Sequence, residues 1–299
     1  MKVGFIGLGI MGQPMALNLM GGGHTLFLFS RSGVPRELKD AGGTALNTAG
    51  EVAVRSEIVI TMVPDTPDVE RVLFGENGVA QGLSPGKIVV DMSSISPIET
   101  KAFAARIREL GCEYLDAPVS GGDVGARNAA LTIMVGGKEE VFARVKPLFD
   151  LMGKKITLVG GVGDGQTCKA ANQIIVALTL EAVAEGLVFA SKAGADPAKV
   201  REALMGGFAG SRILEVHGER MIQRNFQPGF RVELHRKDLN LALSGAHALG
   251  VSLPGTATVR ELFNACMARG GAKWDHSALV RVLKNLACHE LSKEPDPVI

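Results

Sequence analysis

The chain has 299 residues, and at roughly 150 residues per domain that is enough for two domains and a sizeable core, which excludes a disordered chain or a mini-protein scaffold. Lys and Arg total 32 against 31 Asp and Glu, a formal net charge of +1, so no global field recruits DNA, RNA or an anionic membrane, and neither partner is expected. Aromatic residues are 5% of the chain while glycines number 38, a balance that favours tight turns and close backbone approaches over stacking platforms.

The first strand is expected at residues 3–6, followed by Gly7-Leu8-Gly9-Ile10-Met11-Gly12 and a helix over 12–20. No charged residue lies between Lys2 and Arg31, a run long enough to suggest a signal peptide or a membrane span. Gly4, Gly7, Gly9, Gly12, Pro14 and the glycines at 21–23 break it into short pieces, so a soluble, cytoplasmic protein is expected. Further strands are expected at 25–29, 58–62, 87–91 and 131–135, with helices over 100–110 and 138–151 between or after them. This alternation is that of a doubly wound parallel sheet covered by helices on both faces. From Gln166 to Ala193 there is no proline and a single glycine, Gly186, which predicts a long helix, apolar around most of its girth and therefore buried. Helices are then expected to start at Asp196-Pro197 and at Pro254. Strand-like alternation is absent after about residue 160. The expected organisation is a dinucleotide-binding domain at 1–162, an all-helical substrate and oligomerisation domain at 163–292, and a loose tail at 293–299.

Within that frame the glycine motif is G-x-G-x-x-G in its required context, directly after a strand and directly before a helix. Gly7 permits the tight turn, Gly9 lets a pyrophosphate approach the backbone, and Gly12 lets helix pack against strand, while the helix N-terminus supplies oriented N–H groups. About 20 residues further on, an NAD-preferring fold usually carries Asp or Glu for the ribose diol. This chain has Ser30-Arg31-Ser32 there and no carboxylate before Glu37. Arg31 is placed to pair a 2′-phosphate, with Ser30 and Ser32 as hydroxyl donors, so NADP(H) is the expected cofactor and NAD(H) the alternative. The competing reading of Arg31 is a solvated surface side chain.

Cys112, Cys168, Cys266 and Cys288 form no Cys-x-x-Cys pair and read as reduced, mostly buried thiols. His24, His217, His235, His247, His276 and His289 show no ligand spacing, so no metal is expected, and His235 reads as structural. A G-x-S-x-G elbow is also absent, which removes support for a serine hydrolase.

Lys169 and Asn172 are three apart and so share one face of the long helix. Reduction of an aldehyde builds negative charge on its oxygen, and a cation that can also release a proton both stabilises that charge and completes the alcohol. Lys169 suits both roles, and a place near the helix N-terminus together with desolvation would lower an ammonium pKa toward working pH. The alternative is a solvated lysine. Ser120-Gly121-Gly122 offers a hydroxyl and two unobstructed backbone N–H groups to a substrate carboxylate or hydroxyl, or is an ordinary loop.

Four motifs in the same order make the chain similar to the β-hydroxyacid dehydrogenase family along nearly its whole length. They are residues 5–15 at the cofactor turn, Asp116-Ala117-Pro118-Val119-Ser120-Gly121-Gly122, the Gly160-x-x-Gly163-x-Gly165-x-x-x-Lys169-x-x-Asn172 helix, and Lys237-Asp238-Leu239-Asn240-Leu241-Ala242. The resemblance implies a Rossmann-type α/β domain joined by a long helix to an all-α domain. It implies Lys169 as the catalytic proton donor, with Ser120, Gly121, Gly122, Asn172 and Asp238 on a small-molecule substrate. It also implies cofactor contacts from Gly7, Leu8, Gly9, Ile10, Met11, Gly12, Met62, Val63, Ser94 and Lys237. For Asp238 a helix cap or surface ion pair is the rival, because Arg236-Lys237-Asp238 is also an ordinary solvated run. Residues 92–97, 172–178 and 275–279 most resemble members that reduce tartronate semialdehyde (2-hydroxy-3-oxopropanoate) to glycerate. A 3-hydroxyisobutyrate dehydrogenase, a broader short-chain semialdehyde or glyoxylate reductase, and a non-catalytic dinucleotide-binding module are the competing expectations. A relation to 6-phosphogluconate dehydrogenase leaves no room for that group's larger helical domain. The apolar long helix predicts a homodimer or homotetramer.

Overall fold

The structure is a computed structural model that describes residues 1–291; the expected tail lies outside the described residues. It divides into two compact units, Met1–Lys169 and a second that starts at Ala170. The first contains, in chain order, β1 (Lys2–Ile6), α1 (Gly12–Gly21), β2 (Thr25–Phe29), α2 (Arg36–Asp40), β3 (Thr44–Ala45), α3 (Ala49–Arg55), β4 (Ile58–Thr61), α4 (Thr66–Phe74), β5 (Ile88–Asp91) and α5 (Pro97–Glu109). It continues with β6 (Glu113–Asp116), β7 (Val119–Ser120), α6 (Gly122–Arg127), β8 (Leu131–Gly136), α7 (Glu139–Asp150) and β9 (Gly153–Gly160). The long helix α8 (Asp164–Lys192) begins in this unit and ends in the next, which adds α9 (Pro197–Met205), α10 (Glu219–Gln223), α11 (Val232–Leu249), α12 (Pro254–Ala268) and α13 (Leu279–Leu286).

The sheet runs in the order β3-β2-β1-β4-β5-β6-β8-β7, with β9 paired to β8. Its strands are apolar at consecutive positions because both faces are covered: Val3, Phe5, Ile58, Ile60, Ile88 and Val90 enter one core layer, while Ile6, Val59 and Val89 enter the other. The expectation of a parallel sheet needs one correction. Strands β3 through β6 pair in parallel, but β8 runs antiparallel to β6 and β7 and parallel to β9. The link from β7 to β8 is too short for the crossover of a dozen or more residues that parallel pairing requires. The unexpected strands β3 and β7 have two residues each, too few for a periodic signal, and β9 is largely unburied along its Lys154-Lys155 start.

Helix ends follow side-chain chemistry. Thr48 accepts from the Glu51 N–H while the Glu51 carboxylate accepts from the Asn47 N–H, a reciprocal cap at the start of α3. Asp196 accepts from the N–H groups of Ala198 and Lys199, with Pro197 opening α9. In the second unit, the only β pairing among the described residues is the isolated bridge between Arg231 and Asp275. Its core takes Ala177, Leu180, Ala184 and Leu187 from α8, spaced at i, i+3, i+7 and i+10, against Leu239, Val259, Phe263 and Leu279. Fully burying a side chain such as Phe263 contributes about 1.5–3 kcal/mol.

Among the described residues α8 is only partly buried. By length and composition it could cross a membrane, at mean hydropathy 1.9, and only 28% of its most apolar stretch is buried. Ile175 and Phe189 are 64% and 78% exposed. One helix face satisfies the core of its unit, and apolar residues beyond that width stay exposed among the described residues. All four cysteines are free: Cys112 and Cys266 are buried, Cys168 is half-buried and Cys288 is exposed.

Candidate active site

In the first unit the turn after β1 is built by glycine where a side chain has no room. Gly7 lies at φ +93°, and a Cβ there would sit 2.2 Å from the Met62 carbonyl oxygen; at Gly12 it would sit 1.9 Å from that of Gly7. At Gly9 it would meet nothing within 4 Å, so the backbone faces open space. Helix α1 has no side-chain cap and no acidic residue in its first turn. Its N-terminal N–H groups are thus free of a competing carboxylate, a donor set suited to a pyrophosphate. Leu8 is a core side chain, Met11 is half-buried and Ile10 is 63% exposed.

Beyond β2, the Ser30 and Ser32 hydroxyls lie 3.3 Å apart. The Arg31 side chain is 82% exposed and stands 3.8 Å from Asp68, whose closer partner is Arg71 at 3.0 Å. Glu37 is engaged by the Gln13 amide. After β4, the Met62 N–H donates to the Ile6 carbonyl and the Val63 N–H to Ser93 Oγ. Any contact of these two residues with a cofactor therefore falls to their carbonyls or side chains.

Two buried aspartates end adjacent strands, Asp91 on β5 and Asp116 on β6, paired in register. Asp91 accepts from Thr61 Oγ1 and from the Ser93 N–H. Asp116 accepts from the N–H groups of Gly163 and Gln166 at 2.7 and 2.8 Å and so caps the start of α8 from another strand. Burial pushes both carboxyls up to about 6 against these hydrogen bonds. The close fit demands glycine: a Cβ on Gly165 would lie 2.5 Å from the Met134 carbonyl and 2.8 Å from Asp116 Oδ2.

Gln166 clamps the loop that carries Ser94. Its Nε2 donates to the Ser93 carbonyl at 2.7 Å and its Oε1 accepts from the Ile95 N–H at 3.1 Å. Ser120 ends β7, and Gly121 and Gly122 follow at φ +131° and +62°, conformations that admit glycine and strain other residues. Lys169 is 8% exposed, so it is not a solvated lysine. It is the sixth residue of α8 and lies in the second turn. The helix-end field acts mainly within the first turn, and burial remains the stronger physical argument for Lys169.

In the second unit, Asn172 Nδ2 donates to Gln173 Oε1 at 2.7 Å, and Gln173 Nε2 donates to Asp238 Oδ2 at 2.6 Å. Lys237 Nζ pairs with Asp238 Oδ1 at 3.0 Å. Asp238 is 4% exposed, which disposes of the solvated-run reading, and α11 holds it well inside its first and last residues, so it is no cap. The structure thus joins Asn172, Asp238 and Lys237 through Gln173.

Gln166 and Gln173 are the residues that sequence reasoning missed. Their signal was available: Gln166, Lys169 and Gln173 recur at i, i+3 and i+7 in an otherwise small and apolar helix. That spacing is one face, and the three are 1%, 8% and 4% exposed.

Comparison with known proteins agrees with this anatomy. Residues 2–161 match the family described as the NAD binding domain of 6-phosphogluconate dehydrogenase, and residues 163–283 the NAD-binding family of NADP-dependent 3-hydroxyisobutyrate dehydrogenase. The chain is 64% identical to 2-hydroxy-3-oxopropionate reductase of Escherichia coli over 98% of its own length and 100% of that protein. Among solved structures, 3-hydroxyisobutyrate dehydrogenase of Mycobacterium tuberculosis, studied with L-serine, superposes with TM-score 0.85 at 31% identity, covering 95% of this chain and 99% of that one. A 3-hydroxyisobutyrate dehydrogenase of Salmonella typhimurium gives 0.84 at 29%, covering 94% and 99%.

Proposed function

The chain belongs to the β-hydroxyacid dehydrogenase family of NAD(P)-dependent oxidoreductases acting on small molecules, and from that premise we propose that it reduces tartronate semialdehyde to glycerate. The observation that carries the reading is the 64% identity, end to end, with a 2-hydroxy-3-oxopropionate reductase. Residues 1–162 serve the cofactor, and residues 163–292 serve substrate and oligomer.

The open space at Gly9 and the uncapped start of α1 suit a dinucleotide pyrophosphate. When bound, the reduced nicotinamide supplies a hydride to the aldehyde carbon. Lys169 holds a proton at Nζ against the carbonyl oxygen, stabilises the charge that develops there and releases the proton to it. Burial of this lysine keeps competing water away and strengthens the interaction. Ser120, Gly121 and Gly122 hold the substrate's polar end, while Asn172 and Asp238, locked by Gln173, orient it. Ser94, on a loop that Gln166 stiffens, and Lys237 are further residues that would hold the cofactor. The exposed Arg31, with Ser30 and Ser32 and without a carboxylate at the end of β2, favours NADP(H). A second copy of the chain covers the exposed apolar residues of α8, giving a dimer or tetramer; light scattering that returns the monomer mass of 31.4 kDa overturns that assignment.

The test is oxidation of NADPH and NADH by the purified protein with tartronate semialdehyde, methylmalonate semialdehyde and glyoxylate. The expected result is fastest turnover on tartronate semialdehyde with NADPH. A preference for methylmalonate semialdehyde would move the assignment to 3-hydroxyisobutyrate dehydrogenase, and binding of cofactor without turnover on any of them would leave a binding module. Lys169→Ala is expected to lower kcat about 10²–10⁴-fold with cofactor binding retained.

A further inference from the structure

Three histidines of the second unit stand in line. His235 on α11 places Nε2 3.2 Å from the Gln173 carbonyl oxygen and Nδ1 2.9 Å from His276 Nδ1. His276 places Nε2 3.2 Å from His217 Nε2, and His217 Nδ1 faces Asp275 Oδ1 at 3.7 Å, an ion-pair distance. The line is sheathed by Phe230 and Phe263, whose ring centres lie 5.0–5.6 Å from those of His235 or His276. Its far end is fixed by backbone: Asp275 N–H donates to the Phe226 carbonyl and His276 N–H to that of Phe230.

Hydrogen-bond polarity can be read along this line, because its two ends only accept. A carbonyl accepts, so His235 Nε2 carries a proton. With one proton on that ring, His235 Nδ1 accepts from a proton on His276 Nδ1. His276 Nε2 then accepts from His217 Nε2. His217 Nδ1 is buried without a hydrogen-bond partner and points at a carboxylate; a bare lone pair there is repelled, whereas an N–H is attracted. The reverse polarity places the extra charge on His235, which is fully buried and distant along the line from Asp275. We propose that His235, His276 and His217 are positioning residues, a one-way hydrogen-bond array that is charged at His217 opposite Asp275, neutral at His276 and His235, and anchored on the Gln173 carbonyl.

The geometry also answers the metal question that His217, Asp275 and His276 raise, since their ligand atoms lie within 4.8 Å of one another. Asp275 Oδ1 accepts from the Ser277 N–H and hydroxyl, and Oδ2 from the N–H groups of Gly229 and Phe230, with Arg220 3.6 Å away. The lone pairs a cation would need are already committed, and a guanidinium occupies its surroundings. Burial, followed by the nearby His235, holds the His276 imidazole well below its ordinary range, in keeping with a neutral central ring.

The function of the array follows from what it holds. The same Gln173 whose backbone ends the line carries the side chain that orients Asn172 and Asp238. This step rests on the proposed substrate roles of those two residues; the array itself does not.

Neutron diffraction from deuterium-exchanged crystals of the whole protein reads the array directly. Expected are deuterons on His235 Nε2, on His276 Nδ1 and on both nitrogens of His217. A deuteron on His276 Nε2, a bare nitrogen on His217, or a metal ion among these residues would overturn the array. Two variants then read the positioning role. His276→Asn keeps an N–H donor where Nδ1 stood, whereas His276→Gln keeps a polar group only where Nε2 stood. The aldehyde KM should stay near the parent value in the first and rise about tenfold in the second, with the cofactor KM unchanged in both. Equal KM in both variants, raised or not, would overturn the positioning role. If the deuterons are as expected and no aldehyde acid is turned over, the array stands and the substrate assignment falls.

Discussion

Asp116 in the first unit and Asp275 in the second are both buried carboxylates that hold loops through backbone N–H groups, yet their acidities move in opposite directions. Burial pushes Asp116 up to about 6, as it does its strand neighbour Asp91. At Asp275 burial acts the same way but is outweighed by His217, His276, Ser277 and Arg220, which hold its carboxyl well below the usual range. The difference lies in the cations. The Asp116 site offers neutral donors and a second carboxylate, and the Asp275 site the Arg220 guanidinium and the His217 imidazole at ion-pair distance. One unit secures its loops by tight steric fit, the other by paired charge.

The largest test of that contrast is Asp275→Asn. It leaves Arg220 and His217 facing an amide in a buried site, and unfolding by denaturant should show a loss of about 3–5 kcal/mol at pH 7. A loss under 1 kcal/mol would mean that the pairing is incidental. Next comes Gly165→Ala, whose methyl meets the Met134 carbonyl and Asp116; a cost of about 1–3 kcal/mol is expected, and a neutral result would show that the start of α8 yields easily. Asp116→Asn should cost least at pH 7, about 1 kcal/mol, because only one of two accepted N–H bonds is lost and no cation is stranded.

The pH trends of the two aspartate variants should diverge. Asp116 has a raised folded pKa, so its contribution is fully present below its ordinary value of 3.8 and is lost as pH rises through about 6. The deficit of Asp116→Asn relative to the parent should therefore grow as pH falls from 7 to 4. Asp275 has a lowered folded pKa, so its contribution is present above 3.8 and lost as pH falls below that. The deficit of Asp275→Asn should shrink there. Parallel trends in denaturant titrations of the two variants would erase the distinction between the units.

Much of the first unit is legible along the chain. Its strands are short apolar runs bounded by glycine or polar residues, and the G-x-G-x-x-G turn sits between one such run and a helix. The antiparallel β8 is not legible, because an apolar run carries no record of its direction and the deciding fact is a short link. The α8 helix is legible in length and apolarity but not in exposure, since a helix apolar on all sides reads alike whether its cover comes from its own chain or from another. For the candidate site, Lys169 and Asn172 declare themselves by spacing, while Gln166 and Gln173 looked like filler because their partners are distant in sequence: Ser93, Ile95 and Asp116 for one, Asp238 for the other.

What the sequence by itself determined is therefore everything that local periodicity carries: an α/β half, a helical half, the helix that links them, and the glycines that shape a dinucleotide turn. Tertiary structure alone decided which polar groups meet. His217, His235 and His276 show no shared spacing, and become an ordered line only when α11 and the segment at Asp275 pack together. Hydrogen bonds and charge pairing act over a few ångströms of space, whereas a sequence records neighbours along the chain, so the direction of a proton in a buried array is fixed by folding and by nothing earlier.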